Sequence, residues 1–148
     1  MIKIMKEKVR DQESEAGIAA ALAHEAAHIY QFRTRINHGS LWDALLALDN
    51  NMTRRRAELH ADFMSGWCLG SLDARIFDSS GVDIAARKLY SLGAFTPGDP
   101  NDHGTPEQRY SCFLRGFFSG RNDKVSVDLA STGGSDFVNA IVPMLPEP

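Results

Sequence analysis

Cysteine is nearly missing from this chain, with Cys68 and Cys112 the only two in 148 residues. That is too few for the disulfide framework of a small secreted scaffold. Each falls in an apolar helical stretch and reads as a small buried hydrophobe rather than a ligand or nucleophile. Long hydrophobic runs are also lacking. No apolar stretch approaches the roughly 20 residues of a membrane-spanning helix, and the N-terminus has no apolar h-region of a signal peptide. The chain as given is therefore expected to be cytoplasmic, with no membrane partner. Charge of one sign is missing too: 16 Lys and Arg stand against 19 Asp and Glu, a net charge of −3. The one basic concentration, Arg54-Arg55-Arg56, reads as a solvated helix start, and the charge balance argues against a nucleic-acid partner.

What is present suits one globular unit. A chain of 148 residues with 43% hydrophobic side chains can bury a sizeable core in a single domain. The pattern is a series of helices with clear stops. Ile18-Ala19-Ala20-Ala21-Leu22-Ala23 and Ile29-Tyr30-Gln31-Phe32 flank a first helical run without Gly or Pro. Asn37-His38-Gly39 forms a turn, and Ser40 is expected to cap a short helix through Leu48. A longer helix spans Arg54 to Leu69, where the Leu59, Gly66 and Gly70 spacing suggests close packing on another helix. Another runs from Val82 to Leu92, closed by Gly93. Thr105-Pro106-Glu107-Gln108 is a capping box with proline in the first turn, opening a helix to about Ser119 that stops at Gly120. Met1 to Met5 and Val125 to Leu129 are the candidate short strands, Ser131 to Ser135 reads as a flexible turn, and Phe137 to Val142 as a last helical turn.

The chemistry concentrates in two of these helices. His24-Glu25-Ala26-Ala27-His28 is an HExxH string, and Glu58-Leu59-His60-Ala61-Asp62 follows after 29 intervening residues. On a helix, His24 and His28 lie one turn apart on the same face and can converge on one metal ion. Glu25 then sits beside the ion, where it can take a proton from water as general base. A hydrolytic zinc site needs a third protein ligand, and Glu58 is the best candidate. Asp62, one turn on, shares its face and can accept a hydrogen bond from the outer nitrogen of a ligand histidine. His60 lies roughly 200° around the helix from Glu58 and should point elsewhere. His38 belongs to the solvated turn.

Taken in order, LAHEAAHIYQ, AELHADFMSGW and HGTPEQRYSCFLRGFFSG resemble the three successive motifs of the neutral zinc metallopeptidase family of bacteria, a gluzincin-type branch of the zincins. The resemblance runs from about Ile18 to Gly120. It implies His24, His28 and Glu58 as zinc ligands, Glu25 as the catalytic base and Asp62 as support for a ligand histidine. It also implies that His103 or Arg109, in the third motif, approaches the active site, where either could stabilise an oxyanion. Two features depart from the family. Its members commonly carry a membrane anchor and a strand-containing segment before the HExxH helix, whereas 23 residues precede His24 here; a second chain could complete the cleft. His60 stands where the family usually has glutamine.

The expectation is thus a mainly α, zincin-like domain over residues 1–148, with a core of about 15–120 and a tail, 121–148, that is either docked or partly disordered. It contains at most a short strand or two. The expected activity is zinc-dependent hydrolysis of a peptide or protein substrate. The alternatives are a zinc-binding interaction module without peptidase activity, a hydrolase acting on a non-peptide amide, and a purely structural helical protein.

Overall fold

A computed structural model describes residues 2–49, 53–72, 78–93, 99 and 101–142, with side chains from Glu15 onward. The chain is mainly helical. Among the described residues six helices are joined in the order α1 (Ile2–Arg33), the hairpin β1 (Arg35–Ile36) and β2 (Gly39–Ser40), α2 (Leu41–Ala47), α3 (Arg55–Ser71), α4 (Ser79–Tyr90), α5 (Pro106–Asn122) and α6 (Val127–Ile141). The two strands pair antiparallel, with Arg35 opposite Ser40 and Ile36 opposite Gly39. Asn37 turns the hairpin with a positive φ of 56°, a conformation Asn tolerates better than most residues. Among the described residues no helix is long and apolar enough to cross a membrane.

Local capping explains most element starts. Ser40 accepts from the Asp43 amide while Asp43 accepts from the Ser40 amide, and Thr105 and Gln108 exchange the same pair of bonds. Each reciprocal pair satisfies two donors that a helix start leaves unpaired. Asp78 caps α4 by accepting from Gly81 N. That helix starts earlier than expected and ends at Tyr90, with Ser91 as its C-cap. Gly93 does not cap it. Gly93 lies against the backbone of Pro106, where a Cβ would overlap the chain.

Helix α3 is the centre of the fold. Of its 17 residues, 14 are buried, because α1, α5 and α6 all pack on it. The contact with α5 is made backbone to backbone. Gly66 and Gly70 lie against the carbonyls of Phe113 and Phe117, and Gly116 and Gly120 lie against those of Phe63 and Trp67. Reciprocal Gly-x-x-x-Gly pairs let two helices approach more closely than any side chain permits. This also explains why α5 continues past Gly120 to Asn122. The glycine is a packing residue and not a stop.

Three expected elements are corrected. Ile2 to Met5 are helical, continuous with α1, because Lys6 through Glu15 contains strong helix formers and no Gly or Pro before Gly17; Met1 lies outside the described residues. Val125 to Leu129 do not form a strand. Ser126 caps α6 by accepting from Leu129 N, and the apparent alternation is the N-terminal end of a helix. Ser131 to Ser135 are also helical, since Gly134 packs against the Phe63 ring and draws α6 onto α3. Arg56 ties down the end of α6 through Asn139 Oδ1 at 2.6 Å and Val142 O at 3.0 Å. Both cysteines are free, Cys112 buried and Cys68 exposed, so Cys68 is not the buried hydrophobe expected.

The glycine contacts set a sharp contrast between two Gly→Ala changes. Gly66→Ala should destabilise the fold by about 3 kcal/mol or more, because the new methyl meets rigid backbone. Gly133→Ala, with nothing within 4 Å of the added carbon, should stabilise by roughly 0.5–1 kcal/mol through helix propensity. Urea unfolding of the two variants beside the parent measures both; a neutral Gly66→Ala would refute the close-packing account.

Candidate metal centre

Helices α1 and α3 run antiparallel, Ser65 Oγ donating to Ala20 O and Gln31 Nε2 donating to Ala57 O. This brings the HExxH face of α1 against the Glu58 and Asp62 face of α3. His24 Nε2 lies 3.1 Å from Glu58 Oε2, His28 Nε2 lies 3.0 Å from His24 Nε2, and His28 Nε2 lies 3.5 Å from Glu58 Oε1. These three residues form a group whose ligand atoms all fall within 4.8 Å of one another and which can hold a metal ion.

The outer ring nitrogens fix what the inner ones can do. His24 Nδ1 donates to Asp62 Oδ1 at 2.8 Å, and His28 Nδ1 donates to Gln31 Oε1 at 2.8 Å. The Gln31 amide is oriented in turn, since its nitrogen donates to Ala57 O and to His60 Nδ1 at 3.0 Å. His60 Nε2 closes the chain by donating to the Ser131 carbonyl at 3.1 Å. With both Nδ1 atoms acting as donors, neutral His24 and His28 present lone pairs at Nε2, and both face the Glu58 carboxylate. Three electron pairs converging in a buried place require a cation between them.

A proton on His24 also meets that need. Burial pushes the His24 ring toward its neutral form, but hydrogen bonds to Asp62 and Glu58 and their charges outweigh it and raise its pKa to about 9. Burial opposes ionisation of Glu58, yet hydrogen bonds from His24 and His28 hold its carboxyl far below the usual carboxylate range. His60 is different: burial lowers its pKa to about 4, so it stays neutral and keeps its acceptor at Nδ1 and its donor at Nε2.

Asp62 carries the second layer. It is fully buried, and Arg109 clamps it from α5 with Nε to Oδ2 at 2.8 Å and Nη2 to Oδ1 at 2.9 Å. The guanidinium also reaches Leu92 O at 3.3 Å. Arg109 thus meets the centre through Asp62. His103 approaches more directly, with Nδ1 at 3.3 Å from Glu58 Oε2 and its side chain 38% exposed. Its loop is shaped by Asp102, which accepts from Gly104 N. Gly104 has φ +89°, and the Leu59 side chain fills the space a Cβ would occupy.

Glu25 is exposed and lines an open cleft of about 580 Å³ together with His24, His28, Glu58 and His103. The cleft floor is one face of α1, marked by Ala21, Glu25, His28 and Phe32, and its far walls include Trp42, Arg54, Leu89 and Leu92. The two motif helices, and the third motif on the α5 side, are brought together around one point. His38 is exposed in the hairpin turn.

Sequence reasoning missed Gln31, the partner of His28, and saw His60 only as a residue facing away. Gln31 lies three residues after His28 and seven after His24, on the ligand face. A polar residue at that spacing was the available signal. His60 gave none, since its role depends on α1 and α6 meeting on either side of α3.

No protein-family model matches the chain, and no curated protein or solved structure matches it.

Two outcomes follow for metal binding. Gln31→Leu should lower divalent-metal affinity about 10- to 100-fold, the usual cost of losing a ligand's outer hydrogen-bond partner, with the fold retained. Because His24 must lose a proton held with a pKa of about 9, apparent affinity should fall about tenfold per pH unit below 9. Competition titration against a chromophoric chelator reads both, and a flat pH profile would contradict the raised His24 pKa.

Proposed function

We propose that this chain is a zinc-dependent hydrolase of the zincin type, cleaving peptide bonds, with His24, His28 and Glu58 as the zinc ligands. The observation that carries this reading is the convergence of two imidazole lone pairs and a carboxylate at separations of 3.0, 3.1 and 3.5 Å. Ligands bound tetrahedrally to zinc at about 2.0–2.1 Å are separated by about 3.3 Å, so the residues fit the ion. Two histidines and a glutamate are also a donor set used by hydrolytic zinc sites that keep one position open. In this reading α1 and α3 are the two ligand-bearing helices of a zincin-like core.

A zinc ion held there would supply Lewis acidity, acidifying water and polarising a substrate carbonyl. The residues of the chain do the rest. Glu25, adjacent to His24 and open to the cleft, accepts the proton from water and delivers it to the leaving amine. His24 and His28 are kept with their donors turned outward by Asp62 and Gln31. His103, half exposed beside Glu58, is the candidate donor to the developing oxyanion. Arg109 acts at one remove, by holding the Asp62 carboxylate against His24.

A second reading, hydrolysis of a non-peptide amide by the same residues, is favoured by the cleft walls. Extended peptides commonly bind zincins by pairing with a strand edge, whereas the described strands are the two-residue pair Arg35–Ile36 and Gly39–Ser40.

Elemental analysis should find about one zinc per chain in the parent and little in Glu58→Ala. Glu25→Gln should keep the zinc and lose hydrolysis of a peptide library by about a hundredfold or more. Absence of zinc after metal is added back would end the reading, and full turnover in Glu25→Gln would remove Glu25 as the base.

A further inference from the structure

The Arg54-Arg55-Arg56 triplet divides in three dimensions. Arg55 and Arg56 are 4% and 3% exposed and are tied to Asp49 at 3.1 and 3.4 Å. Arg54 is exposed and lines the cleft. The other cleft guanidinium, Arg109, is committed to Asp62. Among the described residues, Arg54 has no carboxylate partner. An uncommitted guanidinium in a cleft is a ready fork for a planar anion.

Its position follows from the antiparallel packing of α1 and α3. Ala20 meets Ser65, His24 meets Glu58 and Asp62, and Gln31 meets Ala57. Arg54, one turn before Glu58, therefore belongs to the Phe32 end of the cleft. There Phe32 and Trp42 stack with ring centroids 4.8 Å apart, and Trp42 meets the His28 ring edge-on at 5.3 Å. Phe32 is 53% exposed, an aromatic surface open to solvent beside a candidate ligand. The opposite end is walled by Ala21, Leu89 and Leu92, and the charge there, Arg109, is taken up by Asp62 and the Leu92 carbonyl. One end of the cleft thus combines an aromatic wall with a cation that has no carboxylate partner among the described residues.

We propose that this end binds the carboxy-terminal residue of a short peptide or N-acyl amino acid, with Arg54 holding the free α-carboxylate and Phe32 and Trp42 covering an apolar side chain. The inference rests on the hydrolase reading above and gives it a substrate class. The span is right. One helical turn, about 5.4 Å of axis, separates Arg54 from Glu58, and one residue of about 3.5 Å plus a hydrogen bond of about 2.9 Å bridges it. The amide preceding that residue then lies at His24, His28 and Glu58. A monoanion suits the cleft better than a phosphate, because Glu25 and Glu58 already line it.

The probes are N-benzoylglycyl-phenylalanine, its C-terminal amide, and an amide-capped peptide carrying an internal glutamate. Each is titrated calorimetrically onto the full chain bearing Glu25→Gln, with zinc and without it. The free acid should bind about tenfold tighter than the amide in both forms, the gain expected of one charge-assisted contact. Adding Arg54→Gln should bring that ratio close to one with zinc content unchanged, Arg54→Lys should retain part of it, and Phe32→Ala should weaken acid and amide alike. Equal or undetectable binding of acid and amide overturns the proposal, as does a preference that survives Arg54→Gln. Tight binding of the internal glutamate peptide overturns the assignment to a chain terminus. Loss of zinc uptake with the acid preference intact would count against the hydrolase reading alone, whereas normal zinc uptake without the preference would count against the carboxylate anchor alone.

Discussion

A carboxylate without access to water has to be paired, and the pairing of Asp62 holds three helices in register. From α3 it accepts one hydrogen bond from His24 on α1 and two from Arg109 on α5. Removing Arg109 would take away the permanent counter-charge of this buried carboxylate, at a cost of roughly 3–5 kcal/mol. The same bonds orient the His24 ring so that its free nitrogen faces Glu58 and His28. Stability and site geometry therefore depend on one side chain, and neither can be altered there without the other.

Around this hub, α3 carries an unusual load for a core helix. Glu58, His60, Asp62 and Ser65 are all buried, yet each has a partner on a neighbouring helix: His24, Gln31, Arg109 or the Ala20 carbonyl. Polar groups satisfied in this way rigidify a core. The glycine contacts on the α5 side complement them, since they bring α5 close enough for Arg109 to reach Asp62. On the other side, Gln31 and His60 connect the His28 ring to Ser131 on α6, so that α6, far along the chain, backs the site.

Much of this was legible in the residues. The HExxH and ExxxD spacings put the right atoms on one helix face each, because helix periodicity is local and independent of partners. The capping boxes at Ser40 and Thr105 were equally local, and both are present. The misreadings share a cause. Val125-Ser126-Val127-Asp128-Leu129 alternates over too few residues to separate a strand from the capped start of a helix, and Gly120 and Gly134 resembled breaks until their contact surfaces were known. Gly93 likewise is spent on a close approach to Pro106 and does not end α4.

The sequence by itself determined the helical character of the chain and the identity of the groups able to converge on a metal, since propensity, capping and i to i+4 spacing act within a few residues of backbone. Only the tertiary structure decided which nitrogen of each histidine is free, that Arg109 meets the centre through Asp62, and that one arginine of a uniform triplet faces the cleft while the other two are buried. Those outcomes depend on which surfaces the antiparallel packing of α1 on α3 and the parallel packing of α5 on α3 bring within hydrogen-bond range. The contacts of Asp62 with His24 and Arg109 join residues 38 and 47 positions apart, beyond the reach of any local pattern.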